Sequence, residues 1–483
     1  MLTLGTLACG CTAEVVPVPT LVEEPKFPKD VDIRDFGADG RDTLDDTSSI
    51  EAAIASLPPQ GGTVFIPAGT FYLTALHPNP LRAIDLSSRT GVILRGEGSD
   101  LSELKMREQS YSGAVSMILI ERGSHVQIRG LTLNGNRDVV KYKDEQSHAL
   151  TIVSSTDVRI SDVAFIHGAG DGIRILGAPR AGDPWTERIV VEDSDFEDNA
   201  RNGISIQRAV NDLVIRGNRF VRISDQSISS EPTGTGGPTA ILVEDNLIEH
   251  STTAYAVGMG GVNRHDLLQG VRFRRNRIEN GAVLFAQAQG VEFEENVIIG
   301  DSRHSPLRFQ DVDDIRVIGN QISGGDVDNE GAVQVVNDAE DLPSLIVLEG
   351  NDIRVSEGMT GVYIRDAKEG VQVRANRITG PSGRNGIMIE NVVVTGIPRS
   401  GFSILNNTIR NYEFGVRMRT RSDTFADVEI GGNQIDHDRP TSTRAIGIVL
   451  SGFLDPDDVR VFSNLFGEGV DRIVCIIEIN ETC

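Results

Sequence analysis

A set of polar and titratable side chains recurs between residues 148 and 255. Five of them stand two residues before the first apolar residue of a strand-like phrase: His148, Asp171, Asn202, Gln226 and Tyr255. Neighbouring positions complete the set with His167, Arg174, Arg201, Gln207, Asp225 and Glu231. Histidine beside carboxylates can transfer protons, and arginine can hold a carboxylate through two parallel hydrogen bonds. The set therefore suits acid–base chemistry on an anionic molecule, provided that the fold brings its members together.

The residues from 126 to 466 contain a repeated phrase that could bring them together. The phrase reads apolar, any, apolar, two variable residues, Asn, any, apolar, and it returns about every 20–30 residues, a period typical of solenoids. Three early copies carry Leu131, Val163 and Ser194 in place of the Asn. The other copies have Asn at positions 218, 246, 276, 296, 320, 351, 376, 407, 433 and 464.

The alternation inside each phrase has period two, which indicates strands, and no repeat has room for a crossover helix. Short strands with Gly and Asn at the corners predict an all-β fold, a single-stranded parallel β-helix, whose coils stack about 4.8 Å apart. Residues at the same offset in successive repeats then become neighbours. The repeated Asn is expected to adopt the left-handed backbone of a tight corner and to form an amide ladder, a structural role.

The residues from 31 to 72 differ from the repeats. Asp46 or Thr47 is expected to cap a short amphipathic helix that runs to Leu57 and has acidic residues at its positive end. This helix would cover the N-terminal end of the solenoid, where a strand edge and the core are otherwise exposed.

Three phrases in this stretch carry a family resemblance: Asp35-Phe-Gly-Ala-Asp-Gly, Asp45-Asp-Thr, and Gly62-Thr-Val-Phe-Ile-Pro-Ala-Gly-Thr-Phe. Together they resemble the opening segment of the pectate-lyase superfamily, in its rhamnogalacturonase/epimerase-like branch. The resemblance implies a right-handed β-helix and polysaccharide partners, often acidic ones. It assigns no catalytic residues, because the Asn-Thr-Asp, Gly-His-Gly and Asp-Pro-His signatures of related enzymes do not occur in register.

On this fold, the polar set predicts a polysaccharide site on one face. A polyuronate lyase or epimerase needs a base and a group that neutralises the sugar carboxylate. A hydrolase needs two carboxyls, and Asp171 and Asp225 would lie two coils apart, roughly 9–10 Å. The catalytic candidates are His148, His167, Asp171 and Asp225. The substrate-binding candidates are Arg174, Arg201, Asn202, Gln207, Gln226, Glu231 and Tyr255.

A non-catalytic function remains the alternative, because polar corners are common on any solenoid. The chain would then be a glycan-binding or structural surface protein. A groove formed by Asp171, Arg201, Asn202 and Asp225 would favour an enzyme, whereas a flat face would favour a spacer.

The composition of the chain limits the classes of partner and cofactor that it can bind. The net charge of −24 argues against nucleic acid and anionic membrane surfaces. The four Cys lie near the two ends, as Cys9 with Cys11 and Cys475 with Cys483, so no internal cysteine cluster indicates a zinc or iron–sulfur site. No cofactor is predicted, although Ca²⁺ could bridge Asp171 or Asp225 to a sugar acid. We expect a monomer.

The N-terminal residues suggest export. Residues 1–11 resemble the end of a bacterial lipoprotein signal, with Cys11 or Cys9 as the acylated residue, and 12–29 form a Pro-rich tether. The β-helix domain then covers 30–483. The sequence thus predicts an extracytoplasmic protein, either a cell-envelope lipoprotein or a secreted one, that touches the membrane only through its lipid.

Overall fold

The computed structural model is a long parallel β-solenoid, as the repeated phrase predicts. The structure describes residues 30–477 except 79, 143–144, 181, 233, 235, 252–254, 264, 301–303, 326–330, 338–344, 393–398, 421–423, 439–444, 453–455 and 468. Cys9, Cys11, Cys483 and the tether therefore lie outside the described residues, and of Cys475 only the backbone is described. No helix in the described part is long and apolar enough to cross a membrane.

The strands form three parallel sheets along the solenoid axis, because each strand pairs with its equivalents in the coils before and after it. Some strands continue around a corner from one sheet into the next. Sheet 1 contains Leu81–Asp85, Val115–Glu121, His148–Val153, Ile173–Leu176, Ile204–Ile206, Ile228–Ser230, Val257–Gly260, the first part of Val283–Glu294 and of Leu307–Ile318, Gly331–Val336, Thr360–Arg365, the last part of Arg377–Asn391 and of Thr408–Thr420, Ala445–Ser451 and Val470–Ile477.

Sheet 2 precedes the Asn corner of each coil, and sheet 3 follows it. Sheet 2 contains Asp30–Asp32, Gly62–Ile66, Val92–Gly96, the first part of Ser124–Asn134 and of Thr156–Ile166, Thr186–Glu192, Val210–Arg216, Thr239–Glu244, Leu268–Arg274, the second part of Val283–Glu294 and of Leu307–Ile318, Ile346–Glu349, Glu369–Arg374, Arg399–Leu405, Phe425–Gly431 and Val459–Phe462.

Sheet 3 contains Gly69–Leu73, Ser102–Met106, the second part of Ser124–Asn134 and of Thr156–Ile166, Asp195–Glu197, Arg219–Ile223, Leu247–Ser251, Arg277–Glu279, Val297–Ile299, Gln321–Gly324, Asp352–Val355, the first part of Arg377–Asn391 and of Thr408–Thr420, Gln434–Asp436 and Leu465–Phe466. A separate two-stranded pairing joins Ser110–Tyr111 to Lys141–Tyr142. The helical segments are Ile33–Phe36 and Pro456–Asp458, both 3₁₀, and the α-helix Thr47–Ala55.

The core is a narrow column of inward-facing apolar side chains. Ile215, Phe273, Val317 and Ile404, which the repeat places inside, are all fully buried. Equivalent positions stack from coil to coil, as in the row Phe165, Phe196 and Phe220, where successive ring centroids are 4.8 and 4.7 Å apart. Stacking of this kind adds to the burial of each ring and favours one register.

The Asn ladder is confirmed, and it spans the ten predicted positions. In each step, the backbone N–H and the Nδ2 of one Asn donate to the Oδ1 of the next, as from Asn276 to Asn296 at 2.9 and 3.1 Å. Nδ2 also donates to a carbonyl of an earlier coil. Ser194 extends the ladder by donating its N–H to Asn218 Oδ1. The ladder thus satisfies buried corner groups that no strand partner reaches.

The expected reason for the Asn was partly wrong. The left-handed residue is the one before each Asn, for example Asp245 before Asn246 or Arg275 before Asn276, whose φ values are 56° and 53°. The Asn residues themselves are not left-handed. Their amides are therefore selected for hydrogen bonding across coils.

The N-terminal helix is confirmed, with three corrections that concern its last residue, its first turn and its cap. It buries Ile50, Ala53 and Ile54, but it ends at Ala55 and has no acidic residue in its first turn. The Asp46 side chain does not cap it; instead it accepts from the N–H groups of Asp39 and Tyr72. This carboxylate binds the neighbouring loop to the first coil.

Candidate functional site

The strand register of sheet 1 brings the predicted polar column together. Ile173 pairs with Leu150 on one side and with Ile204 on the other, so the residues two places earlier, His148, Asp171 and Asn202, are neighbours. The next pairings, Ile204 with Ile228 and Ile228 with Val257, add Gln226 and Tyr255 to the same column.

Asp171 lies at the centre of this column and is fully buried. Its Oδ1 accepts the N–H of Asn202 at 3.0 Å, and both of its oxygens accept from Arg201 Nη1 at 3.1–3.2 Å. Burial nevertheless dominates and raises the pKa of Asp171 to about 6, while Arg201 and Asn202 oppose the shift. The Asp171 carboxyl can therefore gain or lose a proton near neutral pH, as an acid–base group must.

His148 forms a pair with Asp171. Its Nδ1 accepts the backbone N–H of Asp171 at 3.1 Å and lies 3.2 Å from the Asp171 Oδ2. Burial, together with the positive charges of Arg174 and Arg201, lowers the pKa of His148 to about 3. His148 is therefore neutral and carries its proton on Nε2, an atom that is buried without a hydrogen-bond partner in the described part of the chain.

A small cavity of about 10 Å³ lies beside His148, roughly the space of one water molecule. Tyr142 lines it together with Met117, Gly168 and Ala169. The Tyr142 hydroxyl donates to Gly135 O at 2.8 Å, and burial raises the pKa of Tyr142. Tyr142 was not among the predicted site residues, because it lies in an irregular segment. The only hint at its role in the sequence was that Tyr142 lies a few residues before His148.

Arg201 connects the two acidic residues of the site. Its Nη1 contacts Asp171, and its Nη2 contacts Glu231 Oε2 at 2.5 Å. Burial works against its charge, but Asp171 and Glu231 raise the pKa of Arg201 above its ordinary value. Asn202 Nδ2 adds a bond of 3.3 Å to Glu231. Arg201 was expected to be free for a ligand carboxylate, whereas the structure gives it two carboxylates of the protein.

Arg174 is the other guanidinium of the site. It donates from Nε and Nη2 to Gln207 Oε1 at 3.2 and 2.9 Å. Burial lowers the pKa of Arg174; Asp171 and Glu231 oppose this shift, and the charge of Arg201 adds to it. Its partner Gln207 is neutral, so Arg174 keeps a positive charge that no carboxylate within ion-pair distance offsets among the described residues.

The remaining predicted residues lie at the edge of the site or away from it. Asp225 is half-buried, and burial and the charge of Glu231 raise its pKa. Gln226 is fixed through its N–H, which donates to Asn202 Oδ1 at 3.2 Å. Tyr255 packs against His304, with ring centroids 5.2 Å apart. His167 is half-buried, and its Nε2 lies 4.0 Å from Asp198 Oδ2. The structure thus separates His167 from Asp171.

The described residues contain no group of three or more His, Cys, Asp or Glu side chains placed to hold a metal ion. Both Asp171 oxygens already accept from protein donors, so Ca²⁺ would have to displace Arg201 there. Asp225, the other residue predicted to bind Ca²⁺, is half-buried and has the carboxylate oxygens that Ca²⁺ prefers. A role for Ca²⁺ stays a prediction.

Comparison with known proteins agrees with this architecture. The family described as rhamnogalacturonase A/epimerase, pectate lyase-like, matches residues 31–118, and the right handed beta helix region matches 116–266 and 256–454. Mannuronan C5-epimerase AlgE4 of Azotobacter vinelandii is 37% identical over 113 residues, which are 23% of this chain and 20% of the epimerase. Iota-carrageenase of Alteromonas macleodii is 28% identical over 131 residues, 26% of this chain and 24% of that enzyme.

The chain thus matches less than a quarter of the length of these curated relatives. Among solved structures, the A-module of Azotobacter vinelandii AlgE4 is 17% identical, with a TM-score of 0.29, over 92% of this chain and 96% of that one. The repeat family matches more than half of the chain, and its strands stack as that family requires. The chain therefore belongs to the right-handed β-helix family and is of the pectate lyase-like type.

Proposed function

We propose that this protein is a polysaccharide-active enzyme that removes the C5 proton of a uronate residue, as an epimerase or a lyase. The observation that carries the proposal is the buried pair of Asp171 and neutral His148, which can hold one exchangeable proton near neutral pH. The similarity to a mannuronan C5-epimerase supports the same class of substrate.

The pair can transfer a proton without separating charge. Below about pH 6 the Asp171 carboxyl holds a proton that can lie between its Oδ2 and the His148 Nδ1, 3.2 Å apart. When His148 gives up the proton on Nε2, its Nδ1 exchanges the bond from the Asp171 N–H for the proton of the Asp171 carboxyl, so the ring stays neutral. The reverse transfer takes a proton from the cavity side. A positioned pair of this kind contributes about 100- to 10,000-fold to a proton transfer.

The neighbouring residues would orient the sugar. Arg174 offers a positive charge for the sugar carboxylate, because its hydrogen-bond partner Gln207 is neutral. Tyr142 lines the cavity, and its hydroxyl, which donates to Gly135 O, can also accept a hydrogen bond. An epimerase returns a proton to the opposite face of C5. A lyase instead breaks the bond from C4 to the glycosidic oxygen, which takes up a proton and leaves an unsaturated sugar.

A hydrolase is the second candidate, because Asp225 and Glu231 place two more carboxyls at the edge of the site and the pKa of Asp225 is raised. One carboxyl would protonate the glycosidic oxygen, and the other would activate water or attack the sugar. This reaction yields reducing ends without unsaturation, so its products distinguish it from a lyase.

The test is an incubation of the purified chain with mannuronan, alginate, polygalacturonate and neutral polysaccharides. Ultraviolet absorbance detects lyase products, deuterium uptake at C5 in heavy water detects epimerisation, and a reducing-end assay detects hydrolysis. We expect lyase or epimerase products, and Asp171→Asn and His148→Gln should each lose about 100-fold or more of the activity.

The matched control is Asp352→Asn, which removes a half-buried carboxylate paired with Arg354 on sheet 3. It should keep wild-type activity within about twofold, since surface substitutions change stability little. Binding of a polysaccharide without any product would favour the non-catalytic alternative. Full activity in Asp171→Asn would reject the proposed proton transfer. Export through acylation at Cys11 or Cys9 stays part of the proposal.

A further inference from the structure

The same face of sheet 1 carries a second polar cluster near its C-terminal end. Four arginines lie there with two glutamates on adjacent strands, and a tyrosine completes the cluster. The members are Tyr363, Arg365, Arg384, Glu390, Glu413, Arg417 and Arg419. On a chain with a net charge of −24, a cluster in which arginines outnumber carboxylates is a local exception.

One of the two glutamates, Glu390, is bonded to other residues of the cluster. Glu390 is buried, and its Oε1 contacts Arg419 Nη2 at 2.5 Å while its Oε2 accepts the Tyr363 hydroxyl at 3.2 Å. Burial and the charge of Glu390 raise the pKa of Tyr363 to about 12, so the hydroxyl remains a donor. The Glu390 charge is therefore matched by Arg419 and is not available to a third partner.

Arg417 is left with a positive charge and an open donor set. Its guanidinium lies over the Phe414 ring, 4.7 Å from the centroid, and it forms no ion pair with a carboxylate in the described part of the chain. Its Nε is buried without a hydrogen-bond partner. Burial, followed by the nearby charges of Arg419 and Arg384, lowers the pKa of Arg417, while Glu413 and Glu390 oppose the shift.

These features together describe a preformed anion site. The Phe414 ring holds the guanidinium plane in place, which reduces the entropy lost when a ligand binds. A planar guanidinium matches a carboxylate with two parallel hydrogen bonds, and here it would also relieve the repulsion among the arginines.

The cluster lies on the same outward row as the candidate active site. The register connects Arg174, Ser205, Ser229, Gly258, Leu284, Arg308, Gln334, Tyr363, Met388 and Arg417 step by step. Nine steps of about 4.8 Å separate Arg174 from Arg417 by roughly 43 Å. A single extended polymer lying along the solenoid axis could contact both places.

We propose that Arg417 forms a remote subsite that binds the carboxylate of a uronate residue in a polysaccharide engaged at Asp171. The inference rests on the proposed function for its polymer, but the anion site itself can be tested without catalysis. Its consequence is a preference for long chains, because two linked contacts raise the apparent affinity of a ligand that spans both.

The first experiment uses free glucuronate as the probe and saturation-transfer NMR on the full chain. We expect the Arg417→Ala variant to bind glucuronate about tenfold or more weakly than wild type, as for loss of a charge-assisted hydrogen bond. Arg374→Ala is the matched control, since it removes an arginine paired with Glu349 on sheet 2. The Asp171→Asn variant should show the same saturation-transfer signal for glucuronate bound at Arg417 as wild type.

The second experiment compares a long polyuronate with its trisaccharide, which is too short to span roughly 43 Å. Arg417→Ala should weaken binding of the polymer about tenfold and leave the rate at which the trisaccharide reacts at Asp171 unchanged, provided that thermal melts show the variant folded. Equal binding of polymer by wild type and Arg417→Ala overturns the inference, and so does equal weakening in Arg374→Ala. If no polyuronate is turned over but glucuronate binding still needs Arg417, the proposed function fails and the anion site stands.

Discussion

The Asn ladder offers a quantitative test of how buried corner groups stabilise the solenoid, through the substitution Asn296→Ala. Asn296 is fully buried, and its Oδ1 accepts from the N–H and the Nδ2 of Asn276 at 2.9 and 3.1 Å. Its Nδ2 donates to Phe273 O at 2.8 Å and to Asn320 Oδ1 at 3.1 Å. Alanine removes all of these bonds and leaves the Asn276 N–H buried without an acceptor.

The magnitude follows from that orphaned group. A buried donor without a partner costs about 1–3 kcal/mol, and the other lost bonds add about 1 kcal/mol more. We therefore expect Asn296→Ala to lower the free energy of unfolding by about 2–4 kcal/mol, a large part of a typical stability of about 5–15 kcal/mol.

Asn464→Ala is the matched control at the end of the ladder. Asn464 makes the same kinds of bonds, accepting from Asn433 at 3.0 and 2.9 Å and donating to Ile430 O at 2.9 Å. It is only half-buried, so water can replace the lost amide, and we expect a loss below about 1 kcal/mol.

Urea unfolding followed by circular dichroism gives both free energies, and hydrogen exchange reports whether the Asn276 amide loses protection. If the two variants lose equal stability, water access does not set the strength of the ladder and the reasoning is refuted.

Three further predictions concern the site, the core and the N-terminus. Because the folded pKa of Asp171 is raised to about 6, its ionisation destabilises the fold as pH rises from about 4 to 6. Asp171→Asn should therefore gain up to about 3 kcal/mol relative to wild type between pH 4 and 7, and a constant difference in urea unfolding would contradict the burial of this charge. Phe196→Ala should cost about 3–5 kcal/mol by opening a cavity in the phenylalanine row, whereas a melting temperature equal to wild type would mean that the coils close the gap. With the lipid attached, the protein should partition into detergent, and a double variant Cys9→Ser, Cys11→Ser should not; a membrane-bound double variant rejects acylation at these residues.

The fold could be predicted well from the sequence because the same short motif recurs in every coil and determines the same local structure each time. Alternating apolar residues define each strand, and the Asn marks each corner, so strand register follows from counting. Counting also placed His148 beside Asp171 and Asp171 beside Asn202, as the pairing of Ile173 with Leu150 and Ile204 shows.

The hydrogen-bond partners of individual side chains could not be predicted from the repeat spacing. Arg201 can turn toward a ligand or toward Asp171 and Glu231, and the choice depends on distances across three coils that no repeat encodes. Tyr142 was missed for a related reason. Its segment pairs with Ser110–Tyr111 outside the three main sheets, and its ring stacks on Tyr111 at 5.8 Å, a contact set by an irregular loop.

The two polar clusters on sheet 1 differ in a way that follows from this freedom of side chains. Near Asp171 the protein supplies carboxylates for Arg201, which leaves a nearly neutral group with a titratable proton. Near Arg417 the carboxylate of Glu390 is used by Arg419, which leaves a fixed positive charge. A neutral proton-transfer group needs a substrate held by other contacts, because it attracts a polyanion weakly. A distant cationic site on the same row supplies such a contact, so the weak charge at Asp171 is itself a reason to expect binding at Arg417.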